Sequence, residues 1–232
     1  MPTSPPTAPR PARARTGAVS ALLVLGALAY SMWLIEPFLG TGLSPLSSYV
    51  SELAARDQPY GTLFRTTDLT AGLLVLAGAV GALRWLPRRW GTVVGWAGLA
   101  LFGAATAVDS RLPLSCAPTA DAACVAREGA GLVPAAHTAH AVSSSVAVTG
   151  ALVGMVALTL AARRHGSLLS RASSSTLLLT LLELAATAWT LAAVAAFDAG
   201  LGTWGLGVGQ RLQVLLIAVW LGLLARAVVR RG

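Results

Sequence analysis

His137 and His140 stand three residues apart, with Ser144 four further on, so a helix carries all three on one face. Near a helix N-terminus the dipole opposes protonation, and neutral imidazole is the form that a general base or a metal site requires. Asp68, Asp109 and Arg211 join them by depth. They lie 16, 20 and 15 residues from Arg84, Arg89 and Arg226, which places them about 22 to 30 Å from one arginine-marked boundary. His140 and His137, counted from Arg163, come about 35 to 39 Å from the same boundary. Ionisable groups at such depths face the bundle interior and pair with one another. Asp68, Asp109, His137, His140 and Arg211 therefore form a candidate catalytic cluster. Three readings fit it: a closed ion-pair network around Arg211, an acid–base or metal site, or a pH-sensing or ion-coupling site. In the metal version His137, His140 and Asp109 hold zinc and leave a position for water.

A second polar feature is Glu183, flanked by Thr176, Thr180, Thr187 and Thr190 on one stripe of a helix. The stripe serves either hydrogen bonding across a helix interface or a proton or cation pathway. Cys116 and Cys124 are the two cysteines of the chain. Both fall in one loop, and a structural disulfide is expected there.

These residues need a membrane bundle to position them. The chain has 232 residues, 55% hydrophobic and 11% charged, with a mean hydropathy of +0.70, against roughly 25% charged in a soluble domain. A water-soluble globular fold is excluded. Six apolar segments, at approximately 17–35, 69–86, 91–109, 135–162, 176–197 and 211–229, are each long enough to cross a bilayer. Residues 1–16, with five prolines and three arginines, read as a disordered basic tail, and residues 17–232 as a single all-α membrane domain. Gly150 and Gly154 provide a small-residue contact between helices.

All 17 basic residues are arginines, twelve on one side of the spans and five on the other. By the positive-inside rule both termini are cytoplasmic, and Glu36, Glu52, Asp57, Asp121, Glu128 and Asp198 face outward with the cluster. Arginines scattered between apolar runs do not make a nucleic-acid surface. The expected location is the plasma membrane, and the lysine-free, alanine-rich composition suggests a bacterium. Arg13, Arg15 and Ala27-Leu28-Ala29 also resemble a signal peptide, but the apolar run continues through Leu34 and Ile35, which favours a retained helix.

In the first long loop, Ser44 and Pro45 read as the cap and first residue of a short interfacial helix. Its apolar face would be Leu46, Tyr49, Val50, Leu53 and Ala54, with Ser48, Ser51 and Glu52 opposite. Ser48 or Ser51 contacts substrate in one reading, and in the other the helix only plugs the bundle.

The run Ser44-Pro45-Leu46-Ser47-Ser48-Tyr49-Val50-Ser51-Glu52-Leu53 resembles the signature of the bacterial and archaeal membrane family catalogued as domain of unknown function 998. Asp68 opening one span, Asp109 ending another, an early histidine in the fourth and Gly209-Gln210-Arg211 in the last agree with it in order. The resemblance implies about six membrane helices and carries no established activity. In residue type alone the cluster is similar to the membrane hydrolases of the alkaline ceramidase and adiponectin-receptor-like group, although the third histidine, His165, falls on the opposite side.

No phosphate loop, dinucleotide fingerprint or haem motif is present. The cofactor expectation is therefore confined to zinc, and the partners are the lipid bilayer and a lipid-like substrate or partner membrane protein. Metal- or acid–base-assisted hydrolysis of a lipid-like substrate leads. A small ion- or proton-coupled transporter using Glu183 and a noncatalytic assembly or sensor subunit are the alternatives.

Overall fold

The computed structural model describes residues 10–164 and 170–230, with side chains for 13–164 and 174–230. Residues 1–9 of the expected tail, His165 and the side chain of Arg171 lie outside these. The described chain forms seven α-helices: α1 Arg10–Tyr30, α2 Gly61–Trp85, α3 Trp90–Asp109, α4 Ala122–Gly129, α5 Ala135–Arg164, α6 Ser170–Asp198 and α7 Leu206–Val229. All except α4 are long and apolar enough to cross a membrane, the first continuing through a 3-10 helix to Phe38. The six spans match the segments expected from hydropathy, while residues 10–16, expected in the tail, already belong to α1.

One end of the bundle carries the short α2–α3 connection and the arginines that follow Leu83 and Ala162. The other carries three long segments, 31–60, 110–134 and 199–205. The candidate residues sit at this loop-rich end.

Glycine sets how closely the central helices approach. A Cβ on Gly103 of α3 would stand 2.5 Å from the Leu76 nitrogen of α2, and one on Gly150 of α5 2.6 Å from the Phe102 nitrogen of α3. Neither contact tolerates a side chain, so backbones pack directly in the manner of membrane helices with small-residue faces. Phe102, Leu99, Met155, Trp220 and Leu221 fill the core beside them. One to two turns nearer the loop-rich end, the faces that met through glycine present Asp68, Thr106, Asp109 and Ser144 to one another instead.

The short helix of the first loop is present but differs from expectation. Residues 45–48 form a turn in which Ser47 and Ser48 donate to the Ser44 carbonyl, and the 3-10 helix runs Val50–Ala54. An α-helix from Pro45 would consume the Pro45 and Ser48 carbonyls internally. Both instead accept from Arg211 Nη1, at 3.1 and 2.8 Å. The expected facing is also corrected: Leu46 is exposed, whereas Ser48 and Glu52 are buried. The loop wraps the start of α7, where Gly207 donates to the Leu46 carbonyl and a Cβ would collide with the Pro45 oxygen at 2.6 Å.

Candidate functional site

At the loop-rich end, helices α1, α2, α3, α5 and α7 and the first loop line a partly open cavity of about 110 Å³. Asp68, Asp109, Ser144, Thr106, Gln210 and Gln213 line it, together with Ser51 from the loop and the rings of Tyr30, Trp33 and Phe64. Tyr30 is held by an edge-to-face contact with Phe102, centroids 5.3 Å apart. Trp33 is half-buried on the cavity wall, and its indole N–H has no acceptor among the described residues.

The chemistry of the cavity gathers on Asp109. Ser144 Oγ donates to its Oδ2 at 3.0 Å, Ser143 Oγ donates to Oδ1, and His140 Nδ1 stands 3.1 Å from Oδ1. His140 Nδ1 also faces the Leu112 carbonyl at 3.1 Å. Two acceptors at Nδ1 assign the imidazole proton to that nitrogen, which leaves Nε2 with its lone pair. Nε2 stands 3.4 Å from Ser144 Oγ, at the long end of a hydrogen bond. Asp109, His140 and Ser144 thus stand in the acid–base–hydroxyl order of a serine hydrolase triad. Asp68, across the cavity on α2, has no hydrogen-bond partner among the described residues.

His137 takes the opposite tautomer. The Ser115 backbone N–H donates to Nδ1 at 3.0 Å, so the proton sits on Nε2, which donates to Glu128 Oε1 at 2.8 Å. Both nitrogens are occupied, and His137 pins the 110–134 segment onto α5. The same segment is closed by the Cys116–Cys124 disulfide. Sharing a helix face with His140 therefore does not bring His137 into the cavity. Among the described residues no group of three His, Cys, Asp or Glu side chains is close enough to hold a metal ion. The set His137, His140 and Asp109 does not converge, and the described residues offer zinc no site of three such ligands.

Arg211 is also elsewhere. Its guanidinium makes a buried two-pronged contact with Glu36, Nη2 to Oε1 at 2.8 Å and Nε to Oε2 at 3.0 Å, while Nη1 serves the Pro45, Ser48 and Gly207 carbonyls. Glu36 is only 4% exposed. It was legible only as one outward acid among several, although an acid inside Ile35-Glu36-Pro37-Phe38 is itself a sign of a buried partner. Ser48 and Glu52 are structural as well: Glu52 accepts from the Thr119 N–H at 2.7 Å and from its hydroxyl, and Thr119 Oγ1 stands 2.9 Å from Ser48 Oγ. Burial raises the Glu52 carboxyl pKa above the ordinary carboxylate value, while bonds from Thr119, Ser48 and the Tyr49 backbone work against that rise. Of the loop residues, Ser51 alone among Ser48, Ser51 and Glu52 reaches the cavity.

Glu183 is fully buried between α6 and α7. Thr187 donates to its Oε1 at 3.3 Å, and Gln213 Nε2 donates to Thr187 at 2.8 Å. Since Gln213 also lines the cavity, it links the two polar features. One turn along α6, Thr180 meets Thr159 of α5 at 3.2 Å.

The architecture defines a multi-pass membrane helix bundle with a polar cavity at its loop-rich end, in contact with lipid around its apolar girdle. The chain belongs to the protein family of unknown function DUF998, whose profile matches residues 10–227. No curated protein and no solved structure matches it.

Proposed function

We propose that this protein is an acyl hydrolase of the membrane, acting on an ester or amide of a lipid-like substrate from a cavity that faces the outer side of the plasma membrane. The carrying observation is the placement of His140, with its proton held at Nδ1 by Asp109 and the Leu112 carbonyl and its Nε2 lone pair towards Ser144. The outward assignment rests on the arginine asymmetry of the sequence.

In the reaction Ser144 Oγ attacks the carbonyl carbon as its proton passes to His140 Nε2. Asp109 stabilises the resulting imidazolium. The tetrahedral intermediate collapses, the C–O or C–N bond breaks, and the leaving alcohol or amine takes the proton from Nε2. Water then repeats the attack on the acyl-serine and releases the acid. The donors on the cavity wall that suit the oxyanion are the unpaired Trp33 indole N–H and the Gln210 carboxamide, whose oxygen accepts from the Val50 N–H. Ser144 now donates to Asp109 Oδ2, so a rotation about χ1 that brings the hydroxyl to Nε2 precedes attack. Catalytic contacts of this kind tighten when substrate binds.

A fluorophosphonate probe, which reacts with activated serine hydroxyls, tests this in purified protein. Labelling should map to Ser144 and vanish in Ser144→Ala, and His140→Ala should slow it by roughly 10² to 10⁴. Absence of label at Ser144, or labelling indifferent to His140, refutes the mechanism.

A carrier reading gains support from the Gln213–Thr187–Glu183 connection alone, because a proton pathway through Glu183 needs a link to the cavity. Reconstituted vesicles with a trapped pH dye test it, since Glu183→Gln must abolish any proton flux that the wild type supports.

A further inference from the structure

We infer that the group this cavity recognises is a cationic ammonium, held between Asp68 and the rings of Tyr30, Trp33 and Phe64. The inference rests on the reading of the cavity as a substrate site and names the class of substrate.

Charge gives the first argument. The cavity wall contains two carboxylates, Asp68 and Asp109, and no arginine, in a chain without lysine. The basic groups at this end are engaged or turned outward. Arg211 is spent on Glu36 and three carbonyls, and Arg65 on the Ala54 and Ala55 carbonyls and the Thr62 hydroxyl. Arg56 and Arg111 are exposed, and Arg127 pairs with Asp121. The two carboxylates differ in what remains available. Asp109 already accepts from Ser143, Ser144 and His140, whereas Asp68 has no hydrogen-bond partner among the described residues, so its acceptor capacity is open to a ligand.

The walls give the second, independent argument. Three aromatic rings line this small space, and aromatic faces combined with a carboxylate are the chemistry that recognises ammonium groups. The low dielectric of a cavity between membrane helices strengthens the attraction of Asp68 for a cation. Size is consistent as well. About 110 Å³ is well below the 300 Å³ or more typical of pockets for drug-sized ligands, so the cavity takes a small head group and leaves any acyl chain in the bilayer. An ammonium at Asp68 and a carbonyl beside Ser144 would occupy opposite walls of the same cavity.

The experiment is calorimetric titration of the Ser144→Ala protein in maltoside micelles, which hold no ammonium lipid and separate binding from acylation. The probes are choline, ethanolamine and 3,3-dimethylbutan-1-ol, the neutral counterpart of choline in shape. Choline or ethanolamine should bind saturably, with the neutral alcohol at least about tenfold weaker and Asp68→Asn lowering cation affinity by a similar factor. Should Asp68→Asn fail to give monodisperse protein, Phe64→Leu serves in its place, with an expected loss of about threefold to thirtyfold. Equal binding of the neutral alcohol, unchanged affinity in the Asp68 or Phe64 variant, or no binding of either cation overturns the inference.

A dihexanoyl lipid with a choline head group, titrated below its micellar concentration, distinguishes the sources. Tighter binding than free choline assigns the ammonium to a membrane lipid, and weaker binding to a soluble amine. Ser144 labelling by the fluorophosphonate is scored separately. A labelled serine without cation binding removes this inference alone, and cation binding without labelling removes the hydrolase mechanism alone.

Discussion

Removing one partner of the Glu36–Arg211 pair should cost more than removing both, and the structure fixes the order of the effects. Glu36 and Arg211 are 4% and 8% exposed and are joined by both carboxylate oxygens. In Glu36→Leu the guanidinium keeps its carbonyl contacts but loses its counter-charge, and breaking a buried pair from one side costs about 3 to 5 kcal/mol. In Arg211→Leu the carboxylate is orphaned and the Pro45, Ser48 and Gly207 carbonyls lose a donor as well. Its loss should therefore exceed that of Glu36→Leu by about 1 to 3 kcal/mol. The double variant removes both charges and retains only the carbonyl deficit of about 1 to 3 kcal/mol, so it should be more stable than either single variant and its loss far from additive. For a chain of this size 1 kcal/mol corresponds to about 2 to 4 °C in Tm, giving a fall of roughly 6 to 20 °C for Glu36→Leu. Thermal unfolding in detergent, followed by intrinsic tryptophan fluorescence, measures all four proteins. Additive losses, or a Glu36→Leu protein melting within about 2 °C of wild type, would show that the pair does not hold the 31–60 segment to α7.

Three further perturbations have defined outcomes. Because burial raises the folded Glu52 carboxyl above its unfolded value of about 4.5, the protonated form favours folding. That stability is fully present below the unfolded value and is lost as pH rises through the raised folded one. Tm should accordingly fall over that window in wild type and lose this component in Glu52→Gln, and identical profiles would refute the assignment. Reducing Cys116–Cys124, eight residues apart in sequence, should cost about 2.5 kcal/mol by the loop-closure estimate and speed hydrogen exchange of residues 114–124 without altering α2 or α3. Uniform acceleration across the bundle would contradict the local role. Gly103→Val, which drives a side chain into the Leu76 backbone, should lower stability by about 1 to 3 kcal/mol or more and weaken choline binding by displacing Asp68 of α2 from the cavity. A variant that keeps both choline affinity and Tm would show that α2 and α3 tolerate separation.

Hydropathy made the six spans legible because the bilayer imposes a single length and polarity on each of them. Counting residues from the arginines also placed Asp68, Asp109 and His140 towards the same end of the bundle, where Asp68 and Asp109 line one cavity and His140 adjoins Asp109. The same count failed for Arg211, since depth along a helix says nothing about direction around it. Arg211 faces Glu36 and the 45–48 turn, whereas Gln210 and Gln213 of the same helix reach the cavity. Helical spacing likewise put His137 beside His140 but could not show that the 110–134 segment folds back to offer Ser115 and Glu128. Helix α4 had a local signal in Asp121, which caps it by accepting from the Ala123 N–H at 2.8 Å. The aromatic walls had none, because Tyr30, Trp33 and Phe64 come from two different spans and meet only through tertiary packing.

The most recognisable run of the sequence and the reactive residues turn out to do different work. Ser44 to Leu53 looks like a site because it is dense in hydroxyls and ends on a carboxylate, yet Ser48 and Glu52 are spent on Thr119 and the turn carbonyls on Arg211. What the run supplies is a collar around the start of α7, where the Leu46 carbonyl accepts from Gly207 and the Val50 N–H donates to Gln210 on the cavity wall. Reactivity requires the reverse condition, a polar group left with an unused lone pair or donor. Within the described residues at this end, His140 Nε2, the Asp68 carboxylate and the Trp33 N–H meet it, and they adjoin or line the same cavity. A run that serves closure and a cavity that serves chemistry make separable demands. Substitutions at Ser48 and Glu52 should act through Tm, while Asp68, His140 and Ser144 should change ligand affinity or probe labelling in protein that melts close to wild type.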